Sequence, residues 1–558
     1  MDKIWLAQYP AGVPAEVAVD AFRAIDGLFA RSVERFAARD AFVSMGAAIS
    51  FAELERLSRD FAAFLQSDLK LPRGARVALM MPNILQYPIA LFGALRAGCT
   101  VVNCNPLYTA RELEFQLADS GAQAIVIIEN FAHVLEKCLP KTRIEHIVTT
   151  QVGDMLGAPK GPLVNFAIKF VKRMVPAWSL PGAVSFRKAL REGARLAFTD
   201  PGIGPDDLAF LQYTGGTTGT PKGAMLTHGN IVANVQQGVA CLLPFIKEGG
   251  ETAITALPLY HVFALTVNCL GFLEIGATNI LIVNPRDIPG FIKELKRRPF
   301  TLMTGVSTLF NALLHHPDFA RLDFTPLKIC LSGGMAIQRA VAERWRSVTG
   351  KLLIEAYGLT EASPGVAMNP IDLPDYNGAV GLPIPNTEIA IRDEDGRDLG
   401  PGAEGELCVR GPQVMKGYWN HPEETAKIMA ADGFLRTGDI ASVDERGYIR
   451  IVDRKKDMII VSGFNVYPSE IEDIVGMHSG VLEVGAVGVP HASSGEAVMI
   501  VVVRRDPELT VEELRAFCRE HLTGYKMPKH ILFSNELPKT NVGKILRRAL
   551  RDDVVKKI

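Results

Sequence analysis

One glycine- and threonine-rich stretch, Tyr213-Thr-Gly-Gly-Thr-Thr-Gly-Thr-Pro-Lys-Gly223, constrains this chain more than any other segment. Its eleven residues hold four glycines, four threonines and one lysine. Glycines let consecutive backbone N–H groups turn into one concavity, threonine hydroxyls add neutral donors, and Lys222 adds a compact positive charge. That combination suits phosphate, with Thr214, Gly215, Gly216, Thr217, Thr218 and Lys222 as the candidate contacts. The preceding Asp207-Leu-Ala-Phe-Leu-Gln212 reads as a buried strand, which places the loop at a strand end, where ligands of α/β sheets gather. The spacing departs from the usual nucleotide-hydrolase loop, because Pro221 separates Gly219 from Lys222 and Gly223 follows the lysine. A flexible linker rarely carries so many threonines or a Pro-Lys-Gly end.

At 558 residues the chain exceeds one ordinary core; at roughly 150 residues per domain it predicts three or four packing units. A formal net charge of −1 offers no global attraction to nucleic acid or anionic lipid, so no nucleic-acid partner is expected. Eight cysteines, none in a Cys-x-x-Cys pair, predict reduced and mostly buried thiols and no structural zinc. The first ten residues lack a secretory signal, which predicts a cytoplasmic protein. The most apolar window, 252–283, is broken by Pro258, His261 and Glu274, well short of the roughly 20 apolar residues a span needs.

The pattern of elements predicts an α/β fold. Short β-rich runs such as Arg76–Met81, Ala124–Ile128 and His146–Thr150 alternate with helical segments between 40 and 150, which predicts a mostly parallel sheet. A second α/β unit is expected over 205–370 and short glycine-punctuated strands over 378–453. Between the two units, Leu163–Val175 sets Asn165, Lys169, Lys172 and Arg173 on one narrow face of an otherwise apolar helix, which suits a membrane interface. Pro176 and Trp178 favour instead a helix docked on its own domain. The charged run Asp453-Arg-Lys-Lys-Asp457 divides a large domain, 1–453, from a small one, 458–558, through a hinge at 454–457.

Together with Tyr357-Gly-Leu-Thr-Glu361, Thr437-Gly-Asp439 and Asn541-Val-Gly-Lys544, the phosphate loop resembles the adenylate-forming superfamily of acyl-CoA synthetases, peptide-synthetase adenylation domains and beetle luciferases. The run from Asp432 through Asp453-Arg-Lys-Lys-Asp457 to Pro468 resembles the fatty-acyl-CoA synthetase signature. The likeness to bacterial long-chain enzymes extends from Lys3-Ile-Trp-Leu6 almost to the end. It implies a large N-terminal domain of α/β sheet subdomains plus a small β subdomain, with a mobile α+β C-terminal domain pivoting at Lys456. It also implies ATP-dependent ligation of a long-chain fatty acid to coenzyme A through an acyl-adenylate, with Mg2+ as cofactor. A medium-chain or aryl acyl-CoA ligase, an acyl-AMP ligase and a non-catalytic nucleotide- or acyl-binding protein are the alternatives. Contact with the inner face of the membrane and a homodimer stay open.

Activation of a carboxylate by ATP brings two anions together, and a unit-charge pair 4 Å apart costs about 4 kcal/mol at an effective dielectric near 20. Cations must stand between them. The resemblance gives that task to Lys544 and to Mg2+ held by Glu361 and Thr214. It implies purine contacts from Tyr357, Gly358 and Thr360, an adenine-side wall at Gly333 and Gly334, and ribose contacts from Asp439 and Arg454. Gly463 would admit the pantetheine arm. His261, Val262 and Phe263 would line the acyl pocket, with Tyr213 as its aromatic gate. Ser469 to Glu472 fits a helix capping box and receives no catalytic part.

Overall fold

A computed structural model describes residues 2–214, 221–462, 464–491, 494–540 and 543–555. Gly215, Gly216, Thr217, Thr218 and Gly463 of the expected nucleotide and pantetheine contacts lie outside these residues. Among the described residues, four sheets carry an α/β fold with a large N-terminal part and a smaller C-terminal one.

The first sheet runs in the order Val184–Ser185, His146–Thr150, Ala124–Ile128, Arg76–Met80, Thr100–Asn103, Leu208–Thr214 and Lys222–Thr227, parallel except for the last pair. Its central strands are apolar on both faces, as buried parallel strands must be. Along Arg76–Met80, Val77 and Leu79 join one core while Ala78 and Met80 join another. The second sheet runs Leu382–Pro383, Gly365–Met368, Leu353–Gly358, Ile329–Gly333, Leu302–Gly305, Thr252–Thr255, Thr278–Leu281, Asp40–Ser44 and Ala47–Ser50. The helices Ile25–Phe36, Phe51–Ala63, Gln86–Arg96 and His228–Leu242 fill a core shared by both sheets.

Chain order and sheet membership part company here. Asp40–Ser44 pairs with Thr278–Leu281 in the second sheet, and Leu208–Thr214 pairs with Thr100–Asn103 in the first. The expected units at 40–150 and 205–370 therefore exchange strands. The glycine-punctuated strands form a third, antiparallel sheet, Glu388–Arg392, Gly405–Arg410, Leu435–Val443 and Ile449–Arg454. The C-terminal sheet joins Phe464–Val466, Ile459–Val461, Gly495–Arg504, Val481–His491 and His530–Ser534. All eight cysteines are free and buried.

The segment after 160 corrects the expectation of a docked helix. The helix Lys160–Phe166 and the π-turn Ala167–Val171 are anchored through Asn165, whose Oδ1 accepts from Gly153 N at 2.7 Å. Leu163, Phe166, Phe170, Val171 and Met174 nevertheless face outward, each more than half exposed. Among the described residues no helix is long and apolar enough to cross a membrane.

Trp345, on the helix Arg339–Thr349, has its ring 4.7 Å from that of Phe310 and 5.3 Å from that of Phe319, fully buried against the second sheet. Trp345→Ala is expected to destabilise the large domain by about 3–5 kcal/mol, seen as a lower urea midpoint of its unfolding transition.

Candidate active site

Leu208–Thr214 and Lys222–Thr227 form a hairpin in which Thr214 stands opposite Lys222, so both ends of the phosphate loop are fixed by one ladder. Lys222 forms an ion pair with Glu424 and lies 5.1 Å from the centroid of the Tyr418 ring. Bonds from Lys222 and Lys427 hold the Glu424 carboxyl down at about 2. The extended segment at 416–419 lies beside the hairpin, where Met225 N donates to Gly417 O at 2.9 Å and Trp419 N to Gly223 O at 2.8 Å. This neighbour carries Tyr418, whose hydroxyl donates to Glu361 Oε1 at 2.6 Å. Tyr418 thus links Lys222, the expected phosphate contact, to the expected metal ligand. Neither Tyr418 nor Glu424 stands in a motif that marked it.

Asp439 and Arg454 face each other across the third sheet, in register on neighbouring strands. Arg454 Nε donates to Asp439 Oδ1 at 2.8 Å, and Tyr357 OH donates to Asp439 Oδ2 at 2.5 Å. Burial works against the Arg454 charge, but Asp439, Tyr357 and Glu361 outweigh it and raise its pKa. Tyr357 ends the strand Leu353–Gly358. The next residue must be glycine, because a Cβ at Gly358 would lie 2.3 Å from Pro364 O. Thr360 and Glu361 follow in the helical turn Thr360–Ala362.

Lys544 reaches this group from the far end of the chain. Its backbone closes a tight turn with Thr540, donating to Thr540 Oγ1 at 3.0 Å and accepting from Thr540 N at 2.7 Å. Gly543, at φ +84°, brings the turn against the large domain, where its carbonyl accepts from Thr308 Oγ1 at 3.3 Å. A Cβ at this glycine would fall 2.6 Å from that hydroxyl. Burial first, then repulsion from Arg454, lowers the Lys544 pKa to about 8, while Asp439 opposes the shift. Lys456 is lowered by the same two causes and also feels Asp439 and Glu361. The structure therefore brings Lys544, Lys456, Arg454, Asp439, Tyr357 and Glu361 into one electrostatic group.

The expected acyl-pocket segment 258–265, with Leu257 before it, is held by buried polar side chains whose motif-free context did not mark them. Asn83 Nδ2 donates to Leu257 O at 2.8 Å, Tyr87 OH to Leu259 O at 2.8 Å, and Gln212 Nε2 to Tyr260 O at 2.8 Å. Phe263 lies against the wall turn, with a Cβ at Gly333 falling 3.1 Å from its ring; Gly334 continues that turn at φ +82°. His261 is half-buried, and desolvation by its surroundings pushes its pKa down to about 4 and keeps it neutral. Val262 shares the core of Phe263. Tyr213 packs in a different core and donates to Asp119 Oδ2 at 2.5 Å.

The chain matches the AMP-binding enzyme profile over residues 29–419 and the AMP-binding enzyme C-terminal domain over 470–544. It belongs to the AMP-binding enzyme family. A long-chain-fatty-acid–CoA ligase of Escherichia coli O157:H7 is 58% identical over 558 residues, covering 100% of this chain and 99% of that one. A ligase of the same name from Yersinia pestis is 57% identical over 556 residues, with the same coverage. The crystal structure of ATP-bound MatB from Rhodopseudomonas palustris, 30% identical, superposes with a TM-score of 0.80 over 95% of this chain and 99% of that one.

For an AMP-binding enzyme the donor set at the centre fits Mg2+. Glu361 offers one carboxylate and Thr214 one hydroxyl, hard oxygens that leave room for water and phosphate, as this ion prefers. No cluster of three or more His, Cys, Asp or Glu that could cage a metal occurs among the described residues.

The Lys544 ammonium is charged below about 8 and neutral above it. The kcat/KM for ATP–pyrophosphate exchange is accordingly expected to fall as pH rises through that value in free enzyme, and Lys544→Arg to move this alkaline limb upward.

Proposed function

We propose that this AMP-binding enzyme joins a long-chain fatty acid to coenzyme A in two steps. The fatty carboxylate attacks the α-phosphorus of ATP, giving acyl-adenylate and pyrophosphate. The CoA thiol then attacks the acyl carbonyl, its proton is lost, and AMP leaves. The observation that carries this reading is the approach of Lys544 to the Asp439–Arg454 pair. With Lys222 at the phosphate hairpin, it sets cations from separate parts of the chain around one site. Asp439 keeps free lone pairs for the ribose hydroxyls, and its two bonded partners fix its orientation. Mg2+, when bound at Glu361 and Thr214, would neutralise phosphate charge. Phe263, Val262 and His261 line an apolar approach, and a neutral imidazole suits it. The small domain turns about 454–457 between the steps, removing Lys544 and admitting CoA.

Half-reactions test this. Lys544→Ala is expected to abolish ATP–pyrophosphate exchange and to spare thioester formation from supplied acyl-adenylate; equal loss of both would refute divided roles. A pyrophosphate-release panel of acetate, hexanoate, decanoate, palmitate, oleate and benzoate, with and without CoA, is expected to favour palmitate and oleate and to yield CoA thioesters. Preference for benzoate, or no need for CoA, would point to the aryl or acyl-AMP ligase.

The outward face after 160 supports work at the inner face of the cell membrane. The Phe166 and Phe170 rings lie 5.1 Å apart, tilted against each other, beside Lys169, Lys172 and Arg173, an apolar and basic surface of the kind that rests among anionic headgroups. Phe166→Glu/Phe170→Glu is expected to lose co-sedimentation with phosphatidylglycerol vesicles and keep exchange activity on decanoate. Equal sedimentation of the variant and the wild type would remove this surface from the proposal.

A further inference from the structure

Ser469 and Glu472 do not form the expected capping box. The helix Pro468–Gly476 has Tyr467 at its N-cap with no side-chain cap, and Ser469 and Glu472 have other partners. Ser469 N donates to Asp453 Oδ2 at 2.7 Å. Asp453 Oδ1 accepts from Arg547 Nη1 at 2.9 Å and from Arg454 N at 2.7 Å. The Asp453 side chain is 1% exposed, so these are water-excluded bonds.

The two sides of this contact belong to different bodies. Asp453 lies on Ile449–Arg454, paired with Ile440 in the third sheet of the large domain. Ser469 and Arg547 lie in the small domain, beyond the 454–457 run. Arg547 also holds Glu472 through both oxygens, at 3.1 and 2.7 Å, together with Asp457 Oδ2 at 3.5 Å and Ser469 Oγ at 2.9 Å. It starts the helix Arg547–Val555 directly after the hairpin that carries Lys544, where Leu546 N donates to Pro538 O at 2.8 Å. A bonded path therefore runs from Asp453 through Arg547 to the Lys544 turn.

We propose that Asp453 is a positioning residue for the adenylation step, latching the small domain in the orientation that presents Lys544. This rests on the two-step reading above. Rotation about 454–457 carries Ser469 and Arg547 away and leaves Asp453 with its sheet, so the latch closes in one orientation only. Arg547 keeps Glu472 in either orientation, which avoids stranding a buried cation when the latch opens. Removing a buried, charge-assisted bond of this kind shifts an equilibrium by about tenfold to a hundredfold.

Asp453→Asn keeps an acceptor for Ser469 N–H and removes the charge facing Arg547. Its ATP–pyrophosphate exchange is expected to drop by about tenfold or more, while thioester formation from supplied acyl-adenylate and CoA holds at the wild-type rate. Trypsin should cut the Arg454-Lys-Lys456 run faster in the substrate-free variant. Arg547→Lys, which supplies a point charge in place of a fork, should show the same split in weaker form. Unchanged exchange and cleavage in Asp453→Asn would overturn the latch. So would equal loss of both half-reactions with a lowered Tm, which marks a merely structural residue. Lys544→Ala serves as the control: if it retained exchange, the two-step reading itself would fall, whatever Asp453→Asn did.

Discussion

Everything at the centre of this protein turns on one buried carboxylate. Asp439 is held between the Tyr357 hydroxyl and the Arg454 guanidinium, and Lys544 is drawn toward it. A buried ion pair is weak evidence for stability but strong evidence for orientation, because removing one partner leaves an uncompensated charge. Two cations beside one buried carboxylate leave an excess of positive charge. Burial first, and then repulsion from Arg454, lowers the Lys544 pKa, and a bound polyanion would favour its charged form. That positive charge complements the charge of the ligand the site is proposed to take.

Around this centre the contacts inside the large domain differ in kind from those that join the small domain to it. Asn83, Tyr87 and Gln212 are buried polar groups, each donating a hydrogen bond to the backbone of the 257–260 stretch. Satisfied polar groups in a close-packed interior specify one arrangement and resist displacement. The small domain instead meets the site through a short carbonyl contact at Gly543 and a charged cluster at Arg547. Bonds of that kind can break and re-form without disturbing either hydrophobic core. Glu424 plays a related part on the phosphate side, occupying Lys222 with a local carboxylate.

Much of this was legible in the chain itself. The loop follows the strand Leu208–Thr214, as the preceding apolar residues implied, and the structure adds the strand Lys222–Thr227 after it, although the loop's middle lies outside the described residues. Tyr357, Glu361, Asp439, Arg454 and Lys544 share one electrostatic group, as their common motif context implied. Other expectations missed because their signal was local. An apolar run reports that both faces of a strand are covered, not which sheet covers them, so strands 40–50 and 208–227 were assigned to the wrong neighbours. Pro176 and Trp178 suggested a docked helix, but only the anchoring at Asn165 and the open side at Phe166 and Phe170 revealed which face is buried.

The sequence by itself determined the inventory: glycines where backbones nearly touch, a cation directly after a glycine, and carboxylates in fixed motif order. Those features depend on residue type and short spacing, which a chain displays directly. Tertiary structure decided who meets whom. Ser469 and Glu472 have the right spacing to cap their own helix, yet Asp453 and Arg547 offer buried, charge-assisted bonds that win over a neutral local cap. That competition is settled only when distant segments are packed together, because the stronger partners stand on another strand and at the opposite end of the small domain.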